Sequence, residues 1–128
     1  MGFLNSLFGS DESNPAALKL SWNHLTDLGG LNEIIVLSEQ QPVLIFKHST
    51  RCSISRMALK QFENEFNLQD KIAIYYLDLL EFRSISNEIA SRFKIEHQSP
   101  QIVLIKNGAI IHDASHSDID ALKLQEMI

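Results

Sequence analysis

The spacing of apolar residues changes along the chain, and each change marks an element. Val43, Leu44, Ile45 and Phe46 form a continuous apolar run rich in strand formers, as in a central strand covered on both faces. Ahead of it, Leu31, Ile34, Ile35 and Ser38 share one face of a helix that Thr26 or Asp27 can cap. That helix is expected to run to about residue 40 and to end before Pro42, with a short extended piece around Trp22 and Leu25 preceding it. Beyond the strand, Met57, Ala58, Leu59, Phe62, Glu63 and Phe66 repeat with helical period and predict a helix over about 53–66. Residues 72–77 read as a strand, and Ile85, Ile89, Ala90 and Phe93 line a face of the next helix. Residues 101–106 form another strand, Asn107-Gly108 is a strong hairpin signal, and 109–112 return antiparallel. A last helix is expected over about 118–127.

Parallel strands need crossover helices, whereas the final pair is joined by a tight turn. The order therefore predicts an α/β domain with a mixed central β-sheet and helices on both faces, the element order of a thioredoxin-like fold. Residues 18–128 are expected to form this domain. Residues 1–17 mix Phe3, Leu4, Leu7 and Phe8 with small and polar residues, and read as a flexible N-terminal arm.

At 128 residues the chain has the length of one ordinary domain. Sixteen acidic residues against eleven basic ones leave a net charge of −5, which disfavours nucleic acid and anionic lipid as partners. No apolar run approaches a membrane span, and the start lacks the pattern of a secretory signal. Met1 to Ser6 fits the loose myristoylation pattern, but an unmodified arm is the better reading. One cysteine supports neither a disulfide framework nor a Cys-rich zinc site, and points to a reducing compartment, the cytoplasm.

That cysteine, Cys52, falls between the buried strand and the following helix. There its sulfur lies near unpaired backbone N–H groups and the positive end of the helix dipole, both of which favour thiolate. His48 and Arg51 flank it, and Arg56 and Lys60 follow on the helix, so the surroundings are basic in an acidic chain. An acidic thiol leaves readily when a second thiol attacks its mixed disulfide, which suits turnover. Three positions on, where a dithiol oxidoreductase keeps its resolving cysteine, stands Ser55, so the chemistry must be monothiol. Cys52 is the expected catalytic residue, and His48, Arg51 and Ser55 are expected to tune its thiolate. The plainer reading, a cysteine that merely fills a core, fits this position less well.

Pro100 immediately precedes a strand. A cis Ser99–Pro100 bond there would leave the Ser99 backbone free to pair with an extended partner, making both candidate substrate-binding residues. His48, His97, His112 and His116 match no usual ligand spacing, so no metal and no bound cofactor are expected. Trp22 and the phenylalanines fit apolar faces as core residues.

At HSTRCSIS (48–55), HQSPQIVLIKNG (97–108) and ASH (114–116) the chain resembles the monothiol bacilliredoxin family, also called YtxJ-like proteins, from about Trp22 to the end. The resemblance implies a thioredoxin-like redox protein that works with bacillithiol, with the family cysteine at Cys52, the following serine at Ser55 and a cis proline at Pro100. Members often have Thr-Cys-Pro-Ile-Ser where this chain has Arg51-Cys52-Ser53-Ile54-Ser55, and often Trp where it has Ser117. The implied activity is removal of bacillithiol, or a similar low-molecular-weight thiol, from S-thiolated client proteins; separately, the chain is expected to act as a monomer. Two rivals are a non-catalytic binding module that docks a partner along Ser99-Pro100, and an iron–sulfur carrier like some monothiol glutaredoxins. The carrier reading is tied to a glycine after the cysteine, where this chain has Ser53.

Overall fold

The strand Val43–His48 (β2) is buried at all six positions, as its unbroken apolar run requires. In the computed structural model, which describes residues 18–128, it lies at the centre of a five-stranded sheet. The arm expected over 1–17 lies outside the described residues. The other strands are Asn23–His24 (β1), Ala73–Asp78 (β3), Gln101–Lys106 (β4) and Ala109–Ser115 (β5), in the spatial order β1-β3-β2-β4-β5. β1 and β2 both run parallel to β3, whereas β4 is antiparallel to β2 and to β5, which makes the sheet mixed.

The helices Leu28–Leu37 (α1), Ser53–Glu65 (α2) and Arg83–Phe93 (α3) divide between the two faces of the sheet. Leu31 and Ile34 of α1 and Ile85 and Ile89 of α3 pack with Val43, Ile45, Val103 and Ile105 on one face. Leu59, Phe62 and Phe66 of α2 pack with Leu44, Phe46, Ile102 and Leu104 on the other. The period-2 alternation of the strands accounts for this partition: even-numbered β2 side chains face α2, and odd-numbered ones face α1 and α3. Trp22 closes the α2 side, with its ring centroid 6.0 Å from Phe46 and 5.8 Å from Phe62.

Local signals work as expected at several boundaries. Asp27 caps α1 by accepting the Gly30 N–H at 2.6 Å. Asn107 (φ 54°) and Gly108 (φ 78°) both adopt the left-handed conformation that a two-residue hairpin turn needs. The helix expected to reach residue 40 instead ends at Leu37, and Glu39 and Gln40 continue in tight turns bonded to the Val36 and Leu37 carbonyls. Pro42 disfavours helical backbone at Gln41, so the last turns tighten and stop. β5 runs on to Ser115, because Gln101 and Ile102 of β4 supply partners for Ser115 and Ala114.

The expected helix over 118–127 is corrected. Two 3₁₀ turns, His116–Asp118 and Ala121–Glu126, take its place. Ile119 and Asp120 are extended, and the Asp120 carboxylate accepts the Leu122 N–H at 3.0 Å, so no continuous helix can cross them. The buried side chains, Ala121 and Leu124, are three apart, which is the period of a 3₁₀ turn.

Candidate active site

The central strand delivers its C-terminal end to the loop that carries Cys52. β3 stays bonded to that end, with the Leu79 N–H donating to the His48 carbonyl at 2.8 Å. The chain then turns, the Cys52 N–H donating to the Ser49 carbonyl at 3.2 Å, and Cys52 becomes the N-cap residue of α2. Its backbone is extended (φ −102°, ψ 122°), its carbonyl accepts the Arg56 N–H at 3.0 Å, and its side chain makes no capping bond. The half-buried sulfur thus sits where the first N–H groups of α2 have no partner within the helix. Ile54 and Met57, 60% and 70% exposed on the first turns of α2, present apolar surface beside it.

Ser55, in the resolving position, is fully buried. Its hydroxyl oxygen accepts the Ser49 N–H at 3.0 Å and lies 2.7 Å from His48 Nδ1. The simplest proton assignment has Ser55 donating to Nδ1, leaving the ring proton on Nε2. Burial lowers the His48 pKa below its ordinary value of 6.5; Asp78 opposes that shift and Arg56 adds to it. A neutral imidazole, buttressed by Ser55, therefore stands under the Cys52 loop. Arg51 is exposed on that loop.

The Ser99–Pro100 peptide is cis. Lys47 of β2 pairs with Gln101 of β4, and continuing this antiparallel register by one residue sets Pro100 across from His48. The sheet thereby brings the two expected halves of the site, 48–55 and 99–100, to the same edge. The ASH stretch joins them, because His116 takes a left-handed φ of 56° and its N–H donates to the Pro100 carbonyl at 3.0 Å. His97 is held elsewhere, with Nδ1 2.9 Å from the Ser86 hydroxyl of α3. Among the described residues no three of His, Cys, Asp and Glu converge as a metal site.

Three features escaped the sequence reading. Glu63, which falls in the helical pattern of α2, is buried, and one carboxylate oxygen accepts Trp22 Nε1 at 2.7 Å, the Lys19 N–H at 2.9 Å and the Leu20 N–H at 3.1 Å. Lys47 is fully buried in the central strand, and its ammonium has no hydrogen-bond partner among the described residues. The Ser99 hydroxyl and the Gln101 side-chain carbonyl are likewise buried without partners among those residues. Burial brings the Lys47 pKa down to about 8, with Asp113 pulling it up and Arg83 pushing it further down. The third feature is a cavity of about 790 Å³ bordered by His48, Thr50, Arg56, Lys60, Glu63 and Tyr76 among others. Burial, with Asp78 and Glu63 adding to it, raises the Tyr76 pKa to about 12. Hydropathy patterns carry no signal for the cavity, and a lone lysine at the end of an apolar run reads equally well as the strand's exit into solvent.

A five-stranded mixed sheet with a cysteine at the start of α2 and a cis proline at the start of β4 defines a thiol redox protein of the thioredoxin fold. Within that class the chain belongs to the monothiol bacilliredoxin family: the family model described as Monothiol bacilliredoxin BrxC matches residues 23–124. Among solved structures it is similar to a candidate oxidoreductase with a thioredoxin fold, at 29% identity, TM-score 0.71, and coverage of 82% of this chain and 91% of the other. The Malassezia sympodialis thioredoxin matches at 23% identity and TM-score 0.64, over 86% of this chain and 90% of its own. The Fasciola hepatica thioredoxin matches at 16% identity and TM-score 0.62, over 81% and 93% respectively. The two thioredoxin likenesses speak for the fold alone. Among the described residues no helix is long and apolar enough to cross a membrane.

Proposed function

We propose that this protein is a monothiol disulfide reductase that removes bacillithiol from mixed disulfides on oxidised client proteins. The Cys52 thiolate attacks the bacillithiol sulfur, a Cys52–bacillithiol disulfide forms, and the client sulfur leaves as a thiolate that takes up a proton. A second thiol then attacks the bacillithiol sulfur and Cys52 departs as thiolate, leaving the attacking thiol oxidised and the protein unchanged. The observation that carries this reading is Cys52 at the cap of α2 with Ser55, not a second cysteine, in the resolving position.

Cys52 stands at the end of α2 where the first backbone N–H groups have no partner within the helix. Ser99 and Pro100 offer backbone to an extended client segment, and exposed Ile54 and Met57 offer it apolar contact. A chain with one unpaired cysteine suits the reducing cytoplasm.

Mass spectrometry of the intact protein after exposure to oxidised bacillithiol, glutathione and cysteine in parallel tests the proposal. The expected result is one adduct on Cys52, formed fastest with bacillithiol, reversed by excess thiol and absent in a folded Cys52→Ala variant. No adduct with any of the three would sink it.

A further inference from the structure

The surface beside Cys52 is basic, although the chain carries a net charge of −5. Arg51 on the loop, Arg56 and Lys60 on α2, and Lys19 ahead of β1 are all exposed, and α2 carries no acidic residue before Glu63. Arg56, Lys60 and Lys19 border the cavity of about 790 Å³, where Glu63 supplies the only carboxylate among the described lining residues. One oxygen of that carboxylate is already engaged by Trp22, Lys19 and Leu20. The Arg56 guanidinium donates to the Thr50 carbonyl at 3.2 Å, which holds it against the Cys52 loop, and Lys19 Nζ donates to Asn64 Oδ1 at 2.8 Å near the end of α2. Leu18, Leu59 and Tyr76 add apolar surface to the same lining. Cys52 does not border the cavity, but Thr50, two residues before it, does. The cavity is therefore separate from the reacting sulfur and adjacent to it.

From this charge pattern we infer that the cavity docks an acidic segment of the client polypeptide, with Arg56, Lys60 and Lys19 as its docking cations. The inference rests on the thiol-exchange reading of Cys52 and names the kind of client on which that exchange acts. Arg56 and Lys60 lie one and two turns beyond Cys52, roughly 6 and 12 Å along the helix axis. An extended segment advances about 3.3 Å per residue, so its acidic residues stand about two to four positions from the client cysteine. Carboxylates there meet the cations, and the side chains between them meet Leu59 and Tyr76. Complementary charge at such a rim speeds encounter and sets orientation more than it tightens the complex.

The test uses the full chain and three synthetic peptides of equal length, each with one cysteine in mixed disulfide with bacillithiol. The second to fourth positions on either side of the cysteine carry aspartate, asparagine or lysine. The rate constant for passing bacillithiol to Cys52 and releasing the peptide thiol is read for each. Because the small thiol is common to all three, its own contacts cancel in the aspartate-to-asparagine ratio. The natural protein should favour the aspartate peptide by about threefold to tenfold and the lysine peptide least, and the preference should fade as salt is raised. Lys60→Glu, and Lys19→Gln combined with Lys60→Gln, should bring the ratio close to one. Lys60→Arg should keep it, and Lys106→Gln, at the far end of β4, should leave it unchanged. A ratio near one in the natural protein, or one that stays constant across the Lys60 variants, overturns the inference and leaves the exchange reading intact. A ratio that falls equally in Lys106→Gln also overturns it, because the effect would then be one of net charge. A ratio that rises severalfold in Asp11→Asn combined with Glu12→Gln gives the cavity to the chain's own N-terminal residues and overturns it as well. Failure of the natural protein to react with any of the peptides overturns both.

Discussion

The Ser55 hydroxyl lies 2.7 Å from His48 Nδ1 while accepting the Ser49 N–H at 3.0 Å. A residue that occupies the position of a resolving thiol thus acts here as a brace between the end of β2 and the first turn of α2. Ser55→Ala leaves a buried imidazole nitrogen and a backbone N–H unpaired, and should lower stability by about 1–3 kcal/mol in urea unfolding. An unchanged midpoint would show that the brace carries no load.

His48 ties stability to acid pH. Its pKa in the folded protein lies below 6.5, so as pH falls the unfolded chain takes up the proton first and the folded state is disfavoured. The His48 contribution is full above about pH 6.5 and is lost as pH falls below it. His48→Asn, which can still meet the Ser55 hydroxyl, should flatten the loss of thermal stability between about pH 6.5 and 5 relative to the natural protein. Parallel curves for the two proteins would rule out His48 as the source.

Lys47 acts at the alkaline end. Between about 8 and 10.5 the unfolded chain holds the Lys47 proton and the folded chain does not, so stability should rise with pH across that window. Below it, the fold carries a buried ammonium that has no hydrogen-bond partner among the described residues, at a cost of up to about 3 kcal/mol. Lys47→Met, of similar volume, should be more stable at pH 7 and should lose the rise between pH 8 and 10. Urea titrations of both proteins at pH 7 and pH 10 would check this, and a destabilised methionine variant with the rise intact would refute it.

Glu63 pins the segment that leads into the sheet. Glu63→Ala strips three donors of their acceptor, and should lower stability by about 2–4 kcal/mol. Because Trp22 is the only tryptophan and its indole N–H is one of those donors, its emission should shift to longer wavelength as the segment loosens. Unaltered emission in a folded variant would count against the pinning role.

Much of the architecture was legible in the chain, for local reasons. A short unbroken apolar run of strand-forming residues suits a strand covered on both faces, and a helical period beginning directly after Cys52 puts that residue at a helix start. Asn107-Gly108 encodes its own turn through backbone conformations that few other pairs adopt. The terminal segment misled because its apolar residues suit either a helix or 3₁₀ turns. The choice depended on Asp120 capping the second turn and on where Ala121 and Leu124 met the core.

By itself, then, the sequence determined the order of elements as far as β5, the monothiol character and the place of Cys52 at a helix cap, since each follows from neighbouring residues. Only the tertiary structure decided that Gln101, next to Pro100, pairs with Lys47, next to His48, that Ser55 braces that histidine, that Glu63 holds Trp22, and that Arg56, Lys60 and Lys19 border one cavity. These relationships join residues distant in the chain through strand register and helix packing. Hydropathy and spacing describe the direction each side chain takes from its own backbone, and carry no record of what it meets there.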